Sequence, residues 1–207
     1  MGKLDFWSKF AEFYDVAEKL NDKVYREMCE ITTRLIPFGA TVLDCAAGTG
    51  ELSIAAARKA ESVLCTDYSE KMLDVARKKA KKGFFDNISF ERRNIFSLDD
   101  PNETYDVVIA GNVLHLLENP KKAVRELCRV TKKGGKILLP TFMTRNKSDI
   151  SRLLLKVYGK LGFSPSTEYT PKSYVEMLKS CNLGKVKFKT IKGRIPCCYA
   201  VIIKDKD

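Results

Sequence analysis

The sequence predicts an α/β domain built on a doubly wound, mostly parallel sheet, with helices on both faces and a helical cap at its N-terminus. Three observations predict it. From residue 41 onward, apolar runs of strand length alternate with stretches of helical periodicity. The run at Tyr105–Ala110 is apolar on both faces after Asp106, as a strand covered on both sides must be. The chain closes with two strand-like runs joined through Lys192-Gly193-Arg194, too short for a crossover, so they form an antiparallel hairpin.

The elements follow in order. Phe6, Trp7, Phe10, Phe13 and Tyr14 give residues 5–18 an aromatic face at helical spacing. A second helix carries Leu20, Val24, Met28, Ile31 and Leu35 on one stripe and stops at Pro37-Phe38-Gly39. Thr41–Cys45 is a strand, Glu51–Lys59 a helix and Ser62–Thr66 a second strand. Ser69 is placed to cap a helix running to about Lys82, with Met72, Leu73, Ala76 and Ala80 facing inward. Ile88–Arg92 and Tyr105–Ala110 are the third and fourth strands. Asn119-Pro120 opens the next helix as cap and first residue, Gly134-Gly135 closes it, and Lys136–Phe142 is the fifth strand. Ser148–Leu161 is amphipathic, and Thr170-Pro171 caps a helix to about Cys181. In the hairpin, Lys185–Ile191 bears lysines on one face, as an edge strand should. Ile195–Lys204 is apolar on both faces and belongs inside the sheet.

Composition narrows the class. A chain of 207 residues suffices for a single domain with a sizeable core. No apolar run approaches the roughly 20 residues of a membrane-spanning helix. The N-terminus lacks the apolar stretch of a signal peptide, which predicts a cytoplasmic location. Seven cysteines, with Cys45, Cys65, Cys197 and Cys198 in apolar runs, read as small core residues in a reducing compartment. No paired CxxC spacing suggests a metal site. The net charge of +11 raises a nucleic-acid partner, but the lysines are scattered along helices and one strand, so a solvated surface is the preferred reading.

Chemistry concentrates after the first strand. There Gly48-Thr49-Gly50 opens a helix, an arrangement that suits a nucleotide-like ligand because glycine lets the backbone approach closely. By itself the turn does not separate ligands. The dinucleotide fingerprint wants a third small residue near Ser53, and serine is not a clean match. Two carboxylates sharpen it. Asp44 ends an apolar strand just before the glycines, where a carboxylate needs a reason. Asp67 ends the second strand, where an acid can accept from both hydroxyls of a ribose.

Residues 41–142 resemble the class I S-adenosylmethionine-dependent methyltransferases, most of all the small-molecule branch that includes the ubiquinone/menaquinone C-methyltransferases. Val42-Leu43-Asp44-Cys45-Ala46-Ala47-Gly48-Thr49-Gly50 is similar to that family's first motif, and Cys65-Thr66-Asp67-Tyr68-Ser69-Glu70-Lys71-Met72-Leu73 to its second. Tyr105–Ala110 followed by Asn112-Val113-Leu114-His115-Leu116 resembles the fourth-strand motif, and Gly134-Gly135-Lys136-Ile137-Leu138 the fifth.

The resemblance implies a seven-stranded sheet of order 3-2-1-4-5-7-6 with the last strand antiparallel, and S-adenosyl-L-methionine as cofactor. It implies one domain over 1–207, divided into a helical cap (1–36), a cofactor core (41–142) and substrate-side helices with the hairpin (143–207). Asp44 would hold the ligand's ammonium, and Ala46 and Gly48 would line its methionine moiety. Asp67 would take the ribose hydroxyls, Tyr68 and Met72 would flank the adenine, and Asn94 and Ile95 would read its edge. Asn112 would offer its carbonyl to the ammonium, and Tyr14 would close over the site.

Two departures stand out. Ala46 replaces a frequent glycine, which alanine can do if φ stays negative. Asn94 stands where an aspartate is usual, so somewhat weaker binding is expected. His115, the sole histidine, is either a core residue or a general base, and catalytic residues stay unassigned.

The expected reaction is in-line transfer of a methyl group to a small-molecule acceptor, apolar or aromatic, by a chain of open oligomeric state. The alternatives are a tRNA or rRNA methyltransferase and a non-catalytic S-adenosylmethionine-binding protein. The nucleic-acid alternative is disfavoured because Asn112-Val113-Leu114-His115 lacks the paired prolines usual there, and Pro196-Cys197 falls in the last strand.

Overall fold

The computed structural model describes residues 21–143 and 166–206. The helices expected at 5–18 and 148–161 lie outside the described residues. The described elements are, in order, α1 (Asp22–Leu35), β1 (Thr41–Cys45), α2 (Glu51–Ala57), β2 (Ser62–Asp67), α3 (Glu70–Lys82), β3 (Ile88–Arg92), β4 (Tyr105–Ile109), a 3₁₀ turn (Leu114–Leu116), α4 (Pro120–Val130), β5 (Thr131–Phe142), α5 (Pro171–Lys179), β6 (Gly184–Ile191) and β7 (Cys197–Lys204).

The strands form one seven-stranded sheet, β3-β2-β1-β4-β5-β7-β6, in the order the family resemblance implied. Pairing is parallel from β3 through β5, while β7 runs antiparallel to both β5 and β6. Alternation along the strands divides the core. Val42, Val107, Ile109 and Leu138 face α1, α2 and α3 through Val24, Met28, Ala56, Leu73 and Ala76. Leu43, Val108, Ile137 and Leu139 face α4 and α5 through Val124, Leu127, Tyr174 and Leu178. Helices on both faces are what let β4 and β7 be apolar all round.

Local chemistry sets the helix ends. Asn119 accepts from the Lys122 N–H, with Pro120 at the first helical position. Thr170 and Ser173 form a reciprocal capping box. Ser69 stands at the α3 cap position, but its side chain makes no capping bond.

The expected end of α4 at Gly134-Gly135 is corrected. The helix stops at Val130 and β5 begins at once with β-branched Thr131, so the glycine pair lies inside the strand. Tyr105 pairs with Thr131 and Val107 with Lys136, a bulge that takes up the extra residues. Gly134 supplies the positive φ of 73°, and a side chain at Gly135 would meet the Asp106 carbonyl at 2.9 Å. The cysteines of the described residues are free thiols, with Cys45, Cys65, Cys197 and Cys198 buried as expected of core residues.

Candidate functional site

The loops after β1, β2, β3 and β4 meet at the C-terminal end of the sheet, beside the point where strand order reverses between β1 and β4. Asp44 is placed there by β1 and is 1% exposed. Ser53, in the first turn of α2, donates to its Oδ2 at 2.6 Å. Its Oδ1 is buried with no hydrogen-bond partner among the described residues. Burial pushes the carboxyl up to about 7, opposed by the Ser53 bond and reinforced by the nearby Asp67 charge. A buried acceptor with nothing to accept from is rare, and it suits an incoming cation.

The glycine turn carries three left-handed residues, Ala46 (φ 52°), Gly48 (φ 57°) and Gly50 (φ 82°). A Cβ on Gly50 would stand 2.9 Å from that of Ala76, so glycine there also lets α2 approach α3. Ala46 overturns the expectation of a negative φ. Its backbone follows the turn, although left-handed geometry costs an L-residue about 1–2 kcal/mol. Ala46→Gly should therefore raise stability by about 0.5–1 kcal/mol, after the greater chain entropy of glycine is counted. A thermal melt should show a gain of roughly 1–4 °C; a loss would mean the methyl group has a packing role that outweighs the strain.

Asp67 clasps the same turn. Its Oδ2 accepts from the Gly48 N–H at 2.9 Å and its Oδ1 from the Ser69 N–H at 2.8 Å. Burial raises its carboxyl above the ordinary value, and these backbone donors oppose the shift. Each carboxylate oxygen keeps a second lone pair for a hydroxyl donor. Lys79 ties α3 to the turn through Thr49 Oγ1 at 3.0 Å and Glu51 Oε1 at 2.7 Å.

The remaining candidate residues divide between the surface and the interior. Tyr68 is 41% exposed, and the Arg92 guanidinium lies over its ring, 4.8 Å from the centroid. Met72 is buried on the inner side of α3. Asn94 already accepts from the Phe96 N–H at 3.0 Å, beside buried Ile95. Asn112 has φ 53°, a conformation asparagine tolerates, and its Oδ1 is a second buried acceptor with no partner among the described residues. It is fixed by its N–H, which donates to Pro140 at 2.8 Å. His115 is buried on the 3₁₀ turn, and burial pushes its imidazole down to about 4. Tyr14 lies outside the described residues.

Asp44, Ala46, Gly48, Asp67, Tyr68, Asn94 and Asn112 thus gather on the loops at one end of the sheet, while Met72 and Ile95 are buried behind them. Two contributors were not singled out as site residues from the sequence. Ser53, weighed only as a poor third glycine, is the side chain that holds Asp44. Arg92 is visible in sequence only as the last residue of an edge strand. Among the described residues no group of histidine, cysteine and acid side chains could hold a metal ion.

The methyltransferase domain family matches residues 38–163. The ubiquinone/menaquinone biosynthesis C-methyltransferase of Bdellovibrio bacteriovorus is 29% identical over 187 residues, 80% of this chain and 79% of that protein. The demethylmenaquinone methyltransferase of Clavibacter sepedonicus is 34% identical over 126 residues, and there the match spans only 49% of the relative's length. A crystal structure of an S-adenosylmethionine-dependent methyltransferase from Aquifex aeolicus superposes with a TM-score of 0.69 at 19% identity, covering 95% of this chain and 98% of that one. The chain belongs to the methyltransferase domain family. Its class is the S-adenosylmethionine-dependent methyltransferases of class I, and S-adenosylmethionine is its cofactor.

Proposed function

We propose that this enzyme moves the methyl group of S-adenosylmethionine to a small apolar or aromatic acceptor, quinone-like in the sense of the relatives' names. The observation that carries the cofactor half is the pair of buried oxygens without a hydrogen-bond partner among the described residues, Asp44 Oδ1 at the end of β1 and Asn112 Oδ1 in the loop after the neighbouring β4, beside a glycine turn. Both suit the ammonium of the cofactor's methionine end. Asp67 suits the ribose hydroxyls, Gly48 and Ala46 the methionine backbone, and Tyr68, Met72, Asn94 and Ile95 the adenine.

When bound, the cofactor supplies an activated methyl on a good leaving group. The chain's own contribution is then orientation and exclusion of water. His115, held neutral and weakly basic by burial, would give little help to an acceptor that must lose a proton.

Calorimetry with S-adenosylhomocysteine and with NAD tests the cofactor half. Binding of the first and not the second is expected, and the reverse would sink it. Transfer of labelled methyl to a panel of demethylated quinols and phenols tests the acceptor. Labelling of tRNA in place of these would overturn the small-molecule reading.

A further inference from the structure

Two phenylalanines stand almost fully in water at the end of the sheet opposite the site. Phe38 is 91% exposed and Phe84 is 89% exposed. Phe38 lies in the turn before β1 and Phe84 in the turn before β3. Both turns rest on the 57–60 segment that leads into β2. The Gly39 N–H donates to the Lys59 carbonyl at 2.9 Å, and Asn87 Nδ2 donates to the Ala60 carbonyl at 3.0 Å. The two turns therefore sit at the same end of the sheet, leading into strands β1 and β3, which stand two strand spacings apart, on the order of 10 Å.

Phe84 also has φ 57°, just past the end of α3. Glycine is the usual residue in that left-handed position, and a bulky aromatic there is an outlier. The ring buries nothing in the fold, and its backbone is strained. The fold thus gains nothing from Phe84, which points to a ligand outside the chain.

The surroundings say which kind. Arg58 and Lys59 lie between the two turns, Lys81 and Lys82 on the last turn of α3, and Arg34 on the last turn of α1, against the acids Glu61 and Asp86. Lysine is depleted in the cores of protein interfaces, whereas separated aromatic tips among basic residues match the headgroup region of an anionic bilayer. We propose that this end of the molecule docks on an anionic lipid surface, with Phe38 and Phe84 inserted as wedges and the basic residues on the lipid headgroups. The active end then points away from the bilayer, so the contact localises the enzyme and leaves the cofactor site open. The inference does not depend on which acceptor is methylated.

Co-sedimentation of the full chain with phosphatidylcholine vesicles, with and without phosphatidylglycerol, tests it. Binding to the anionic vesicles alone, weakened by salt, is expected. Phe38→Ser with Phe84→Ser should lower partitioning at least about tenfold, a loss of about 1.4 kcal/mol, with S-adenosylhomocysteine affinity unchanged. Phe84→Gly separates the roles further: partitioning should fall while the melting temperature holds or rises, because the strain is relieved. Absence of wild-type binding to anionic vesicles would overturn the proposal, as would partitioning that ignores the phenylalanines, or competition by tRNA that follows them.

Discussion

Asp44→Asn is expected to weaken S-adenosylhomocysteine binding about a hundredfold, roughly 2.7 kcal/mol, within the range for removing a charge from a buried, hydrogen-bonded pair. The substitution keeps the shape and keeps an acceptor for Ser53. It replaces Oδ1 with an amide nitrogen that aims hydrogens at an ammonium. The pH dependence should change with it. Asp44 carries its proton up to about 7 in the folded chain, against an ordinary value of 3.8. Between those values the folded state binds more protons than the unfolded state. The stability this group contributes is thus present at low pH and lost as pH rises toward about 7. Ligand binding runs the other way, since an ammonium selects the carboxylate. The wild-type chain should therefore bind more tightly from pH 5.5 to 7 by ~tenfold per unit at the steep end, while its melting temperature carries the opposite slope. The asparagine variant should lose the part of both dependences that Asp44 supplies, leaving that of Asp67, and be the more stable of the two at pH 8, having no buried charge at position 44. Calorimetry and thermal melts across that range check all three. Unchanged affinity in the variant would remove Asp44 from the ammonium site.

Asp67→Ala should damage fold and binding together, since the carboxylate that clasps the glycine turn is also the one proposed to take the ribose. The Gly48 and Ser69 N–H groups lose their acceptor, at about 1–3 kcal/mol for each donor left unsatisfied. A fall in melting temperature of roughly 5–10 °C follows for a domain of this size. If Asp67 takes the ribose hydroxyls as proposed, two charge-assisted bonds are lost and affinity should fall about a hundredfold or more. Asp67→Asn separates the two effects. It keeps one acceptor oxygen and should recover about half of the lost stability, but little of the affinity. If the alanine variant melts like wild type, the clasp on the turn carries no weight. If it binds S-adenosylhomocysteine normally, Asp67 is structural alone.

Sequence by itself determined the sheet and singled out Asp44 and Asp67 as candidates for the site. Strands of five or six residues with clean alternation fix which side chain faces which layer, and a three-residue connection leaves the last two strands no pairing but antiparallel. Asp44 and Asp67 were legible because carboxylates are out of place at the ends of apolar strands unless something receives them. Tertiary structure decided what those groups touch. Ser53 reaches Asp44 only because α2 folds back over the end of β1, nine positions along the chain. Asp67 turned out to hold Gly48, a contact across two strands that no local pattern encodes. The left-handed Ala46 was also unreadable, because the turn's φ angles are set by Asp67 and by the close approach of α2 to α3, not by the residue's own preference. Phe38 and Phe84 carry no shared signal in the sequence, and only the sheet brings their two turns to one end. Periodicity and residue chemistry act within a few positions of the chain, so a sequence carries them openly. Hydrogen bonds and strain imposed between separate elements exist only once the sheet has closed.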